Sequence, residues 1–276
     1  MSNYENRPVP EGINYSQENP LKEFFLLLLA ASGALLVLLL ILSLAAQKLV
    51  PLVPFSLEEK LVSRYAEQFP AAPESERAQL IENYLQQLAD QLLESQRLPE
   101  GLNLKIHYLP SKTVNAFATL GGNVYILDGL LEKMDSENAL AMVVAHEIAH
   151  IINRDPIVAM GRGLTVSLAL ASVAGLSNSG AADWLIQQLG LATVMSFTRD
   201  QERAADAMAL DMLQAHYGNV QGAGRLFAVM SEGGIAPPEL LSTHPLSDKR
   251  IAAIQAYAQS HPQQGEPYPL PELIQQ

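Results

Sequence analysis

Twenty-three consecutive residues, Phe24 to Ala46 (FFLLLLAASGALLVLLLILSLAA), carry no charge. A helix of that composition has no polar face for water, so it must lie inside protein or in lipid. At about 1.5 Å per residue the run spans the roughly 30 Å hydrocarbon core of a bilayer. A cleaved signal peptide is the rival reading, but its apolar stretch is about 7–15 residues long and comes after a basic segment. Here the run is longer, and the 23 residues before it hold two basic and four acidic side chains. The expectation is a retained single-pass anchor over residues 24–46, in contact with the lipid bilayer. It is preceded by a disordered polar tail over 1–23 with Pro8, Pro10 and Pro20.

The chain beyond the anchor is acidic. Residues 47–276 hold 15 Lys and Arg against 25 Asp and Glu, and the whole chain has a net charge of −12. That balance excludes nucleic acid as a partner, because phosphates are neutralised by clustered basic residues. There is no Cys, which excludes disulfides, thiolate catalysis and Cys-ligated metals, so any metal must sit on His, Asp and Glu. Arg7 and Lys22 before the span and Lys48, Lys60 and Arg64 after it give no decisive orientation. The side chosen is the outside of a bacterial inner membrane. An oligomer is possible but not indicated.

Residues 47–100 read as a linker and two helical patterns. These are Ser56–Phe69 and Glu74–Gln96, the second with Leu80, Ile81, Tyr84, Leu85, Leu88 and Leu92 at helical spacing. A further domain is assigned to 101–260 and a Pro-rich tail to 261–276, which either straps the surface or is disordered. Leu102–Tyr108 alternates as a half-buried strand, with His107 on its polar face and read as a surface histidine. Thr113–Thr119 and Asn123–Leu127 form a hairpin across Leu120-Gly121-Gly122. From Ser136 onward the pattern is helical, giving a mainly α chain with a small β-sheet (α+β). The apolar segment from Ile157 to Leu176 is read as a buried or interfacial helical hairpin continuing into Trp184–Phe197, since Arg162 would be expensive in lipid.

The stretch from Ala139 to Asn153 contains His146-Glu147-Ile-Ala-His150. Histidines four apart on a helix project from one face and can chelate one zinc ion. Glu147 is offset by one residue, where it reaches a metal-bound water and takes its proton as that water attacks a carbonyl. The surrounding residues are Ala, Leu, Val and Ile, and buried polar groups in such a setting need partners. A third ligand is required. Glu202 and Asp206, 52 and 56 residues beyond His150, share a helix face. One can bind the metal while the other orients a ligand imidazole. A surface ion-pair ladder through Arg199, Asp200, Glu202, Arg203, Asp206 and Asp211 is the plainer reading of that segment alone. In Ser242-Thr-His244-Pro245 with Arg250 beyond it, an imidazole and a guanidinium could meet developing oxyanion charge. A loop His with an Arg at a helix start explains the same residues. His216 reads as a cation at the C-terminus of the Glu202 helix, near Gly218, and His261 as solvent-exposed.

The ordered motifs resemble the M48 peptidase family. His146-Glu-x-x-His150 with Glu202-x-x-x-Asp206 is similar to its gluzincin centre. Asn115-Ala-Phe-Ala118 before the Gly pair, Val124–Leu131, and Ser242–Pro245 with Arg250 match its other segments, over about Leu102 to Ala258. The resemblance implies a zincin-like metalloprotease domain, one zinc ion per chain on His146, His150 and Glu202, and Glu147 as general base. It implies Asp206 behind the ligands, with His244 and Arg250 approaching the site; His244 either helps the oxyanion or occludes the metal. It implies an edge strand around Asn115, Ala116, Phe117 and Ala118 that takes polypeptide substrates in extended form. Leu120 replaces a Pro often found there, and the single anchor differs from the several spans of the heat-shock-protease and CAAX-protease branches. The expected function is membrane-anchored hydrolysis of misfolded or unassembled proteins. The rivals are a tethered chaperone or adaptor, and a latent protease whose fourth metal position His244 fills.

Overall fold

The structure, a computed structural model, describes residues 19–64, 75–163, 197–231, 244, 247–261 and 265–275. The expectations for the tail before residue 19, the end of the first soluble helical pattern, and the apolar segment around Trp184 lie outside those residues. Contacts divide the chain into Met1–Leu42 and Ser43–Gln276.

Helix α1 (Pro20–Leu49) carries the apolar run. It starts four residues before that run because Asn19 caps it, its Oδ1 accepting from the Leu21 and Lys22 N–H groups, with Pro20 at the first helical position. Pro20–Leu42 is long and apolar enough to cross a membrane, and none of it is buried.

In the second unit, a 3-10 turn (Val50–Leu52) leads to α2 (Phe55–Arg64) and then to α3 (Glu76–Leu93). Ser75 caps α3 by accepting from the Ala78 N–H. The buried face of α3 is Ala78, Ile81, Leu85, Leu88, Ala89 and Leu92. Leu80, counted from the sequence in the apolar stripe, is 53% exposed, because it stands about 100° around the helix from Ile81, outside the arc those six residues share.

Strands β1 (Lys105–Leu109), β2 (Ala116–Ala118) and β3 (Asn123–Leu127) form one sheet in the order β1-β3-β2. The hairpin is present: β2 runs antiparallel to β3, with Ala116 opposite Ile126, while β1 runs parallel to β3. The turn needs its two glycines. Gly121 and Gly122 have φ of 72° and 80°, and a Cβ on Gly122 would stand 2.6 Å from the Asn103 carbonyl oxygen. His107 is half-buried rather than at the surface: it bonds Asn123 Oδ1 at 2.9 Å and stacks on Tyr125.

A short helix α4 (Asp128–Leu131) precedes α5 (Glu137–Ile152), which Ser136 caps. Every α5 residue from Asn138 to Ile151 is buried, so its sequence is apolar all round rather than striped. Helix α6 (Arg199–Tyr217) starts on a capping box between Thr198 and Gln201 and ends at Gly218 in the left-handed conformation. His216 does lie in its last turn, exposed. Residues 155–163, where the apolar segment begins, are helical with Ile157, Val158 and Ala159 buried, and helices α7 (Arg225–Ser231), α8 (Asp248–Ser260) and α9 (Glu272–Gln275) follow.

One core joins α3, the sheet, α5, α6 and α7 with Phe55, Ile254, Leu270 and Ile274. Each such buried Leu or Ile contributes roughly 1.5–3 kcal/mol. The C-terminal segment straps this core. Its Tyr268 carbonyl accepts from the Glu137 N–H, and its N–H donates to Asn138 Oδ1, pinning the start of α5. His261 stacks on Tyr257 at 4.0 Å and is partly buried, where the sequence pointed to solvent.

Candidate metal centre

Helices α5 and α6 pack against each other and bring their polar residues to one place. On α6 the buried stripe Glu202, Ala205, Asp206, Ala209 and Leu213 continues an apolar seam, and the two carboxylates occupy its first turns. The ladder reading of this segment therefore fails for Glu202 and Asp206, while Arg203 and Asp200 do pair on the outside. His146, His150, Glu202 and His244 each offer a ligand atom, all within 4.8 Å of one another and all buried.

His146 Nε2 and His150 Nε2 are 3.1 Å apart, and His146 Nε2 lies 3.3 Å from His244 Nδ1. Glu202 Oε1 is 3.4 Å from His150 Nε2 and 3.2 Å from His244 Nδ1. The outer ring nitrogens of the helix pair face carboxylates: His146 Nδ1 is 3.0 Å from Asp206 Oδ1, and His150 Nδ1 is 2.8 Å from Asp155 Oδ2. Protons placed there leave two Nε2 lone pairs aimed at each other, which is repulsive without a cation between them. Tetrahedral ligands about 2.0–2.1 Å from a zinc ion stand about 3.3 Å apart, which matches these edges. Charge points the same way, since Glu147, Asp155, Glu202 and Asp206 are all buried and Arg250 is the cation that contacts two of them. The donor set therefore fits a divalent metal.

Titration behaviour comes from the same contacts. Burial disfavours a charged His146, but Asp206 and Glu202 outweigh it and push its pKa up to about 10. His150 is likewise raised against burial, by Asp155 and Glu202. Burial would raise Glu202, yet the facing histidines hold it far below the ordinary carboxylate range. Asp206 is held down to about 2 against burial, chiefly by Arg250 and then His146.

Arg250 stands behind the pocket. Its Nε and Nη2 donate to the two Asp206 oxygens at 2.7 and 2.8 Å, and its Nη1 lies 2.6 Å from Glu202 Oε2. This fork leaves Glu202 Oε1 to the metal pocket. Glu147 is 2% exposed, with Oε1 3.3 Å from His244 Nε2 and a buried Oε2 that accepts no hydrogen bond from the described residues. His244 thus bridges from Glu202 to Glu147. Phe197 stacks on the His150 ring at 3.9 Å.

Strand β2 packs on α5 and is the sheet's edge, paired only with β3 among the described residues. Ala116 and Ala118 are buried, Phe117 stacks on Tyr125 at 5.0 Å, and Asn115 is buried with its Oδ1 unpartnered among the described residues. The four residues Asn115–Ala118 thus lie beside the helix that carries the histidines rather than among the His/Glu cluster itself. Sequence reasoning missed Asp155, Gln201 and Phe197. Gln201 donates to Asp155 Oδ1 at 2.6 Å, so the carboxylate that orients His150 is itself fixed. A carboxylate five residues past the second histidine was the available signal.

A histidine pair and a carboxylate on two packed helices, beside an open sheet edge, define a metallopeptidase. The sequence profile of peptidase family M48 matches residues 79–258, and the chain belongs to that family. It is 31% identical over 175 residues to the beta-barrel assembly-enhancing protease of Yersinia pestis, covering 56% of this chain and 34% of that protein. To the mitochondrial metalloendopeptidase OMA1 of Schizosaccharomyces pombe it is 32% identical over 161 residues, 56% of this chain and 47% of that one. To the protease HtpX homolog of Aquifex aeolicus it is 30% identical over 222 residues, 61% of this chain and 69% of that one. The chain spans about a third to a half of the length of the first two relatives.

Proposed function

We propose that this chain is a membrane-anchored zinc endopeptidase acting on polypeptides, with His146, His150 and Glu202 as the protein ligands. The convergence of two Nε2 lone pairs and Glu202 Oε1 in one buried pocket carries the reading. A zinc ion held there supplies Lewis acidity to the carbonyl and lowers the pKa of a bound water.

The chain's own groups do the rest. Glu147 takes a proton from the attacking water on its free Oε2 and returns it to the leaving amine. Asp206 and Asp155 hold the two imidazoles in the tautomer whose Nε2 is free for metal. Arg250 aligns Glu202 and Asp206, which makes it a positioning residue in this scheme rather than a catalytic one. Asn115, Ala116, Phe117 and Ala118 form the edge on which an extended peptide adds as a further strand. Family likeness points to misfolded or unassembled proteins near the membrane as substrates. The proposal includes the periplasmic side of a bacterial inner membrane for the catalytic unit, and a compartment-sensitive reporter fused at the C-terminus tests this. Reporter activity on the cytoplasmic side alone rejects it.

Incubating the full chain in detergent micelles with unfolded casein tests the activity. New amino termini inside the casein sequence, lost on chelation and regained with zinc, are the expected result; intact casein held in a stable complex would favour a tethered chaperone or adaptor instead.

A second reading, a latent form of the same enzyme, is favoured by one observation. His244 supplies the fourth donor and also contacts Glu147. An imidazole in that position displaces the water that Glu147 would activate. His244→Ala then raises casein cleavage; an unchanged or lower rate removes the latch.

A further inference from the structure

Helix α2 turns a carboxylate inward and leucines outward. Phe55 and Glu58 are buried, while Leu57 and Leu61 are 47% and 38% exposed. A glutamate so enclosed is costly unless both oxygens are matched. Glu58 Oε2 accepts from the Gly121 N–H at 2.8 Å, and Oε1 lies 2.7 Å from Arg154 Nη2. Burial pushes its pKa up against the opposing pull of Gly121 and Arg154.

Arg154 is itself held from the same segment. It donates to the Val53 carbonyl, and its guanidinium lies 3.8 Å over the Phe55 ring. It is the single non-glycine residue with positive φ (64°) among those described. Such a backbone persists only where its surroundings hold it. Gly121 belongs to the turn that ends edge strand β2, and Arg154 directly precedes Asp155, which orients His150. Val53, Phe55 and Glu58, the residues next after the anchor helix, therefore touch both sides of the site.

We propose that Glu58 is a positioning residue: its one carboxylate locks the β2–β3 turn to the end of α5, so that the juxtamembrane segment sets edge strand β2 against His150. The consequence for catalysis rests on the peptidase reading above. The coupling of the two segments does not. Nothing in the metal pocket needs Glu58 for its own charge balance, and a residue that only filled space would not set one oxygen as hydrogen-bond acceptor and the other as ion-pair partner on separate segments.

The test uses the full chain in lipid nanodiscs, comparing wild type, Glu58→Gln, Phe55→Leu and the outward-face control Leu57→Ser. Glu58→Gln keeps the shape and loses the charge that holds Arg154. Amide hydrogen exchange is expected to speed up at least about 10-fold in both 116–122 and 150–156, because a buried pairing is broken. Zinc affinity by chelator competition is expected to weaken by about 3- to 10-fold, at or below the range for a group behind a metal ligand. With an internally quenched peptide, KM is expected to rise more than kcat falls. Phe55→Leu shifts the same readouts less, and Leu57→Ser leaves them at wild-type values.

A Glu58→Gln protein that only melts earlier, with wild-type zinc affinity and KM and faster exchange confined to α2, overturns the proposal. If that variant does not fold, Phe55→Leu decides: no change in either exchange segment rejects the coupling. A wild type that neither binds zinc nor cuts would reject the peptidase reading, while hydrogen exchange still tests the lock.

Discussion

Helices α1 and α5 are both apolar nearly all round, yet they live in opposite surroundings. In α1 most of the large side chains are exposed, from Phe24 at 58% to Leu44 at 54%, and Pro20–Leu42 has no buried residue. In α5 everything from Asn138 to Ile151 is buried, including His146, Glu147 and His150. The difference lies in what each helix carries. With no ionisable group between Phe24 and Ala46, α1 needs only a solvent that tolerates hydrocarbon. Helix α5 carries three buried ionisable groups in an environment that makes every one of them expensive. They persist because carboxylates, a guanidinium and a metal can balance them.

Substitutions can break that contrast. The largest effect is expected from Glu147→Gln, which keeps the fold and the metal ligands but cannot take a proton. Peptide hydrolysis should drop by about 10²–10⁴-fold, the range for a lost general base, and an unaltered rate in a peptide assay would remove Glu147 from the chemistry. Next comes Arg250→Met, which strands Asp206 and Glu202 as buried charges. Removing one partner of a buried pair costs about 3–5 kcal/mol, readable as a lower denaturant midpoint. No change there would mean the fork is dispensable. In α1, Leu29→Arg puts a charge in the span at about 2.5–3.5 kcal/mol. It should move protein out of the carbonate-resistant membrane fraction and leave zinc affinity untouched; a loss of zinc binding would show that the two helices are not independent in this sense. The smallest expected effect is from Asp155→Asn, which weakens the hold on the His150 tautomer. Zinc affinity should fall by about 10- to 100-fold while the membrane fraction stays constant, and equal affinity would place Asp155 outside the centre.

The contrast also shows how far the sequence could be read. The span was legible because uncharged length is a local property. His146, Glu147, His150, Glu202 and Asp206 were legible because helical spacing fixes which residues share a face, and the structure brings all five together with His244 and Arg250. The hairpin was legible from its glycines. The parallel pairing of β1 with β3 was not, since no periodicity encodes which strands become neighbours. Asp155 escaped because it lies past the end of α5, where helical spacing no longer applies. Nothing local in the sequence singles out Glu58. Only the fold reveals that it faces inward, through a contact 63 residues away in sequence. Leu80 failed in the reverse sense, a leucine one residue off the buried arc that the seam leaves outside.

If the buried pocket of His146, His150 and Glu202 binds the one zinc ion that hydrolysis requires, metal uptake and catalysis must rise together. Titrating zinc into the metal-free full chain, while following both uptake and cleavage of a peptide, tests this most directly. Activity should rise in step with uptake and level off at one zinc per chain, with Glu147→Gln taking up the same zinc and cutting nothing. Cleavage without metal, or zinc uptake that survives His146→Ala together with His150→Ala, would contradict it.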